Sequence, residues 1–208
     1  KAFIYKAFLY YCDGQEILMH LCLPVDGTFE EKVIKLKEEG KIRVIGISTS
    51  SQEEDILAIQ KFDFKSIQIN FNLMDQRALF NGLFDACTNR GVGVIGRTPL
   101  CFGFLTGKYK RNQPPPSGTR LSESAESANA YFTSKNFDII EKLEQLANDA
   151  SHTVTELAIS WLLSNNNVSS VISGATKTSQ LEINAKAADW DLETDVLDEI
   201  EIILNSKG

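Results

Sequence analysis

Two stretches of this chain combine small residues, hydroxyls and backbone amides in a way that could hold a phosphate. The first is GRTPLCFGFLTGKY, residues 96–109, where Thr98 and Thr106 lie among Pro99, Gly103 and Gly107 just after an apolar strand pattern. Glycine lets a backbone approach a ligand closely, and free N–H groups beside hydroxyls can bind a pyrophosphate. The same residues also fit a turn-rich loop with Phe102, Phe104 and Leu105 packed inward. The second stretch is ISGATKTSQLEINAKAA, residues 172–188, which runs from a strand through Gly174 into a helix start. Thr176, Thr178 and Ser179 sit where a helix N-terminus would accept a phosphate, and Lys177 adds positive charge. Simple helix capping by Thr178 is the plainer reading. Neither GxGxxG nor GxxxxGK[ST] occurs, so the sequence does not support a Rossmann or P-loop site.

The remaining reactive side chains are few. The chain has 2 histidines. His20, in EILMHLCLP, stands near the end of a short apolar run and could be catalytic; the alternative is a histidine packed between strand and helix. His152, in DASHTV, reads as a solvated neighbour of a helix cap, and Asp55, Asp75 and Asp85 read as surface charges. Cys12, Cys22, Cys87 and Cys101 are scattered, without a CxxC pair. They are expected to be reduced thiols, with Cys22 and Cys101 buried and no metal site.

These residues need elements to position them, and strand and helix patterns alternate along the chain. Strands are expected at 17–23, 43–48, 66–71, 92–97 and 168–173. Helices are expected at about 28–39, 51–62, 76–90, 135–150, 153–165, 178–188 and 193–205, with Gly40 and Gly91 as stops and Thr153 with Glu156 as a capping box. Strands separated by helices imply βαβ units and a parallel sheet, either an open α/β sheet or part of a (β/α)8 barrel. In both, function gathers at the carboxyl ends of the strands. That singles out His20 with Cys22, Ser48 with Thr49, Gln68 with Asn70, Arg97 with Thr98, and Ser173 with Gly174.

Composition bounds the possibilities. The chain has 208 residues, 43% hydrophobic and 24% charged, enough for a sizeable core. A net charge of −7 argues against nucleic acid as a partner. No apolar run is long enough to suggest a membrane span, and the expected location is cytoplasmic. Residues 1–15 read as an atypical N-terminal edge and 16–208 as one domain. The aromatic opening KAFIYKAFLYYCDG fits either a short strand or a helix.

EEGKIRVIGIS, SIQINFNLM, GVGVIGRTPLCFGFLTGKY, LAISWLLSNNNVSSVISGAT and SQLEINAKA, in this order and at these spacings, resemble the aldo-keto reductase family over about residues 16–205. The GRTPL and ISGAT forms resemble the bacterial branch near the potassium-channel β-subunit type. The resemblance implies a parallel (β/α)8 TIM barrel that binds NADP(H) without a Rossmann fold and reduces a carbonyl, an aldehyde or ketone, to an alcohol. By position, Ser48, Thr49 and Gln68 would hold the nicotinamide carboxamide, with Thr49 replacing the family's asparagine. Arg97 would stack on the nicotinamide where many members have tyrosine. Thr98, Leu100, Gly103, Leu105 and Thr106 would wrap the pyrophosphate. Gly174, Thr176, Thr178 and Gln180 would hold the 2′-phosphate, and Asn184 would read the adenine edge. Gln180 stands where many members have arginine, which leaves the choice between NADP and NAD open, and Ile183 replaces a glutamate.

The family's chemistry uses an aspartate, a tyrosine, a lysine and a histidine. The first three come from its first three βα units, which have no match here, so the sequence suggests a partial barrel that lacks its N-terminal units, truncated and impaired in catalysis. Counting back from TFEEKV without a gap puts Leu21 on the histidine position; a small insertion in CLPVDG would put His20 there. Besides an impaired reductase, a non-catalytic NADP(H)-binding or interaction protein and a truncated remnant fit. The expected partners are a small carbonyl substrate if the chain is active, and a second copy in a homodimer that closes the partial barrel.

Overall fold

The computed structural model describes residues 8–12, 15–21, 27–48 and 51–205. Six strands form one sheet in chain order: β1 (Phe8–Cys12), β2 (Gln15–Leu21), β3 (Ile42–Ser48), β4 (Ser66–Asn70), β5 (Gly93–Arg97) and β6 (Val168–Ile172). β2 runs parallel to β3, and β3 parallel to β4, as the alternating pattern requires. β1 is the strand that the five-strand expectation did not count. It pairs antiparallel with β2, Phe8 opposite His20 and Cys12 opposite Gln15. Its sequence signal is Asp13-Gly14 between two runs of strand-forming residues, a strong hairpin signature. Thr49 and Cys22 lie outside the described residues.

The described residues fall into two compact units. One comprises those up to Ile69, with Gln76–Gly96 and Asn167–Ser170; the other comprises Asn70–Asp75, Arg97–Asn166 and Val171 onward. In the first unit, Ile47, Ile59, Ile67, Ile69, Leu83 and Val94 are buried. Helix α1 (Gly27–Glu38) ends as expected at Gly40, whose φ is +68°. The Lys41 amide donates to the Leu36 carbonyl at 2.9 Å, closing a Schellman-type end. Helix α2 (Gln52–Lys61) starts behind Ser51, whose hydroxyl accepts from the Glu54 amide. Asp55 is only 1% exposed, contrary to its reading as a surface charge. It stands three and four residues before Ala58 and Ile59, on the helix face that packs inward.

The single helix expected over 76–90 is broken. A 3-10 turn at Arg77–Leu79 is followed by Gly82 at φ +83°, and helix α3 begins only at Leu83 and ends at Arg90. The Asn81 side chain accepts from the Leu83 amide at 3.0 Å. Asn-Gly favours a turn over a continuing helix, and the apolar spacing across it concealed the break.

The second unit carries α4 (Ala125–Tyr131), α5 (Ser134–Asp149), α6 (Val154–Leu163), α7 (Thr178–Lys186) and α8 (Thr194–Asn205). Phe104 centres an aromatic cluster, 5.4 Å from Phe137, 5.8 Å from Tyr131 and 6.2 Å from Phe132 between ring centroids. Phe71 packs on Trp161 at 5.1 Å. Thr153 and Glu156 form the expected capping box at the start of α6. His152 is not simply solvated: its ring stacks on Trp190, 3.9 Å between centroids and 8° between planes. Its Nδ1 also lies 3.5 Å from Glu156 Oε1. Among the described residues, no helix is long and apolar enough to cross a membrane.

Burial works to raise the Glu156 pKa, but the Thr153 hydroxyl and amide and the His152 ring outweigh it and hold the carboxyl below its ordinary value. A depressed carboxyl stabilises the fold above its unfolded pKa, and that contribution is lost as pH falls through the lower folded value. Thr153→Ala should therefore cost about 1 kcal/mol at neutral pH. Urea unfolding at pH 7 and pH 3 should show the difference from the parent shrinking in acid.

Candidate cofactor-binding site

In the first unit, parallel pairing puts Ser48, at the end of β3, in register with Gln68 of β4. Both are buried, at 3% and 6% exposure, although both are polar. Two adjacent strand ends thus bring a hydroxyl and a carboxamide to one face. In β2, His20 occupies the register position of Gly46, and Leu21 that of Ile47. Alternate positions share a face, so position 20 falls in the row of Ser48 and Gln68. Position 21 falls in the row of Ile47 and Ile67, both core residues.

The second unit holds the loop after β5. Thr98, Cys101 and Phe102 have φ of 56°, 47° and 57°, and Gly103 and Gly107 follow at 90° and 70°. Left-handed backbone costs a residue with a Cβ about 1–2 kcal/mol. The loop is therefore a built turn that its surroundings sustain. The Cys101 amide donates to the Thr98 carbonyl, and the amides of Gly103 and Leu105 both donate to the Leu100 carbonyl. The Thr106 hydroxyl donates to the Gly103 carbonyl at 2.8 Å. Thr98 Oγ1 lies 2.9 Å from Asn70 Oδ1 and 2.6 Å from its neighbour's carbonyl. Phe104 and Leu105 pack inward, as the plain-turn reading expected, whereas Phe102 is 38% exposed. With its side chain in the core, Leu105 has only backbone to offer a ligand. A Cβ at Gly103 would collide with the end of the Lys108 side chain, which crosses over it.

The turn between β6 and α7 differs in detail from the capping expected there. The residue before the helix is Lys177, with no side-chain cap, and Thr178 is already its first residue. The reach-back comes from Gln180, whose Oε1 accepts from the Thr176 amide at 2.8 Å and lies 3.1 Å from the Thr176 hydroxyl. Gly174, Thr176 and Thr178 are exposed. Among the described residues, Ser173 Oγ and Asn184 Nδ2 are buried without a hydrogen-bond partner. A buried polar atom left unsatisfied is costly, and such atoms concentrate where a ligand supplies the missing group. A hydroxyl just after β6 and an amide N–H₂ in the second turn of α7 suit a polar ligand rich in acceptors, as a nucleotide is. Sequence patterning identified Asn184 only through the family resemblance, and Ser173 only as a strand end.

Cys87 and Cys101, both buried, are weak acids and poor nucleophiles. Burial pushes Cys101 up to about 12, and burial together with the Asp55 carboxylate pushes Cys87 to about 12. Tyr131 is likewise raised to about 12, chiefly by burial, so its phenol is a weaker acid than an exposed tyrosine. Among the described residues, no group of three or more His, Cys, Asp or Glu side chains is placed to hold a metal ion.

A family model described as the aldo/keto reductase family matches residues 29–205. The chain is 32% identical over 159 residues to L-glyceraldehyde 3-phosphate reductase of Escherichia coli K12, covering 72% of the chain and 45% of that protein. It is 36% identical over 143 residues to a probable voltage-gated potassium channel subunit beta of Arabidopsis thaliana, covering 67% of the chain and 44% of that protein. An NADH-specific methylglyoxal reductase of E. coli is 30% identical over 162 residues, 76% of the chain and 47% of that protein. The chain thus spans about half the length of the curated relatives it matches. In fold it is similar to a glycerol dehydrogenase from Gluconobacter oxydans, with a TM-score of 0.75 at 24% identity, over 91% of this chain and 58% of that one. With a parallel α/β sheet whose strand ends carry these side chains, and a family match over most of its length, the chain belongs to the aldo/keto reductase family.

Proposed function

We propose that the chain binds NADP(H) and serves the reduction of an aldehyde or ketone to an alcohol. The family consists of oxidoreductases that generally use NAD(P)H, and NADP(H) is the more specific reading offered here. The observation that carries it is the pair of unsatisfied buried polar atoms, Ser173 Oγ and Asn184 Nδ2, on the two sides of the exposed Gly174–Thr178 turn. When bound, the nicotinamide supplies the hydride.

The chain's own residues divide by task. Ser48 and Gln68 hold the carboxamide, with Thr49 beside Ser48 in sequence and Arg97 at the end of β5 against the ring. Thr98, Leu100, Gly103, Leu105 and Thr106 line the loop that meets the pyrophosphate; the Gly103 and Leu105 amides and the Thr106 hydroxyl bond within the loop and hold its shape. Gly174, Thr176, Thr178 and Gln180 meet the adenosine phosphate, and Asn184 donates to the adenine. Gln180 shows no charge to that phosphate, so preference over NAD rests on neutral hydrogen bonds. His20 orients the substrate carbonyl; its register row with Ser48 and Gln68 supports that assignment over Leu21. No position of these 208 residues matches the family's aspartate, tyrosine and lysine, so the residues assigned here serve binding and orientation.

NADPH titration followed by nucleotide fluorescence tests the reading. Saturable binding is expected, with little turnover when an aldehyde is added. Asn184→Ala removes one hydrogen bond and should weaken binding about tenfold. No binding by the parent, or unchanged binding by Asn184→Ala, would refute the assignment. Gln180→Arg should shift preference toward NADPH over NADH by about tenfold or more, measured as the ratio of the two dissociation constants.

A further inference from the structure

Asn72 is a polar side chain only 2% exposed, in the second unit just beyond β4. Its two ends do different work. Nδ2 donates to the Thr98 carbonyl at 3.0 Å. Oδ1 accepts from the amides of Met74 and Asp75 at 3.0 and 2.9 Å, and from the Cys101 thiol at 2.9 Å. Its backbone closes the same turn through paired bonds with Asp75. One side chain therefore ties the turn at 72–75 to two of this loop's three non-glycine residues that hold left-handed backbone, Thr98 and Cys101. Strained backbone of this kind persists only where its surroundings over-determine it.

We propose that Asn72 is a positioning residue for cofactor binding: it never touches the nucleotide but holds the turn at Thr98–Gly103 in the shape that meets the pyrophosphate. This rests on the reading of that turn as the pyrophosphate cradle. The chemistry restricts the position to asparagine. Aspartate keeps the acceptor but loses the N–H donor to Thr98 and buries a charge. Leucine matches the shape but takes the acceptor from the Met74 amide and removes one of two bonds at both the Asp75 amide and the Thr98 carbonyl. Glutamine adds a methylene to a close-packed site. The geometric tolerance of a binding turn is small, so loosening it by a fraction of an ångström is enough to lower affinity.

The test uses the full chain and two readouts. The first is the rate at which N-ethylmaleimide modifies Cys101, followed by peptide mass; Cys101 is fully buried and bonded to Asn72, so its rate reports the turn without any cofactor. The second is NADPH affinity by fluorescence. Asn72→Asp should raise both the Cys101 rate and the NADPH dissociation constant at least tenfold. Thr153→Ala, which weakens the same unit at a remote helix cap, should lower the thermal midpoint and leave both readouts at parental values. If Asn72→Asp does not fold, Asn72→Ser, which is too short to span the two segments, is read in the same way. Parental values of both readouts in the Asn72 variant would overturn the proposal, as would equal changes in Thr153→Ala. Faster Cys101 modification with parental NADPH affinity would overturn the positioning role. If the parent itself binds no NADPH, the cofactor reading falls on its own, and an unchanged Cys101 rate would sink the turn clamp separately.

Discussion

The second unit turns on an exchange between backbone strain and burial. Thr98, Cys101 and Phe102 occupy left-handed conformations that side chains disfavour, within five residues of one another. Two things offset that cost. Phe104 drives into an aromatic cluster formed with Tyr109, Tyr131, Phe132 and Phe137, and Asn72 satisfies polar groups on both sides of the turn. Removing either support would let the turn relax into ordinary backbone, and the amides and hydroxyls it displays would lose their arrangement.

In the first unit the constraint is register. Ser48 and Gln68 are both polar and both buried because parallel pairing aligns the two strand ends. A one-residue slip of either strand would turn its group to the opposite face. The same alternation places positions 20 and 21 in different rows of the sheet.

Much of this was legible in the sequence because it was local. Gly40 and Gly91 mark helix ends, and Thr153 with Glu156 opens a helix, since each acts through its own backbone or a partner three residues away. Other features were hidden because their cause lies elsewhere in the fold. Asp55 looks like a surface acid until its helix face is seen to pack inward, and His152 looks solvated until Trp190 arrives from 38 positions down the chain. Asn81-Gly82 was visible but was outweighed by an apolar spacing that continued on both sides. The phosphate-like loops were recognisable by composition. The residues that shape them, Asn72 at one and Gln180's reach to Thr176 at the other, were not, because hydrogen-bond partners carry no periodicity.

The placement of the indoles has a spectroscopic consequence. The chain has 2 tryptophans, Trp161 and Trp190, and both belong to the second unit, one against Phe71 and the other flat on His152. Tryptophan emission, excited apart from tyrosine, thus comes from the second unit, whereas far-ultraviolet dichroism sees the helices of both. Coincidence of the two signals during denaturation would mean the units melt as one cooperative body, and divergence would resolve them as separate folding domains. The molecule carries its own label for asking how far its cooperativity extends.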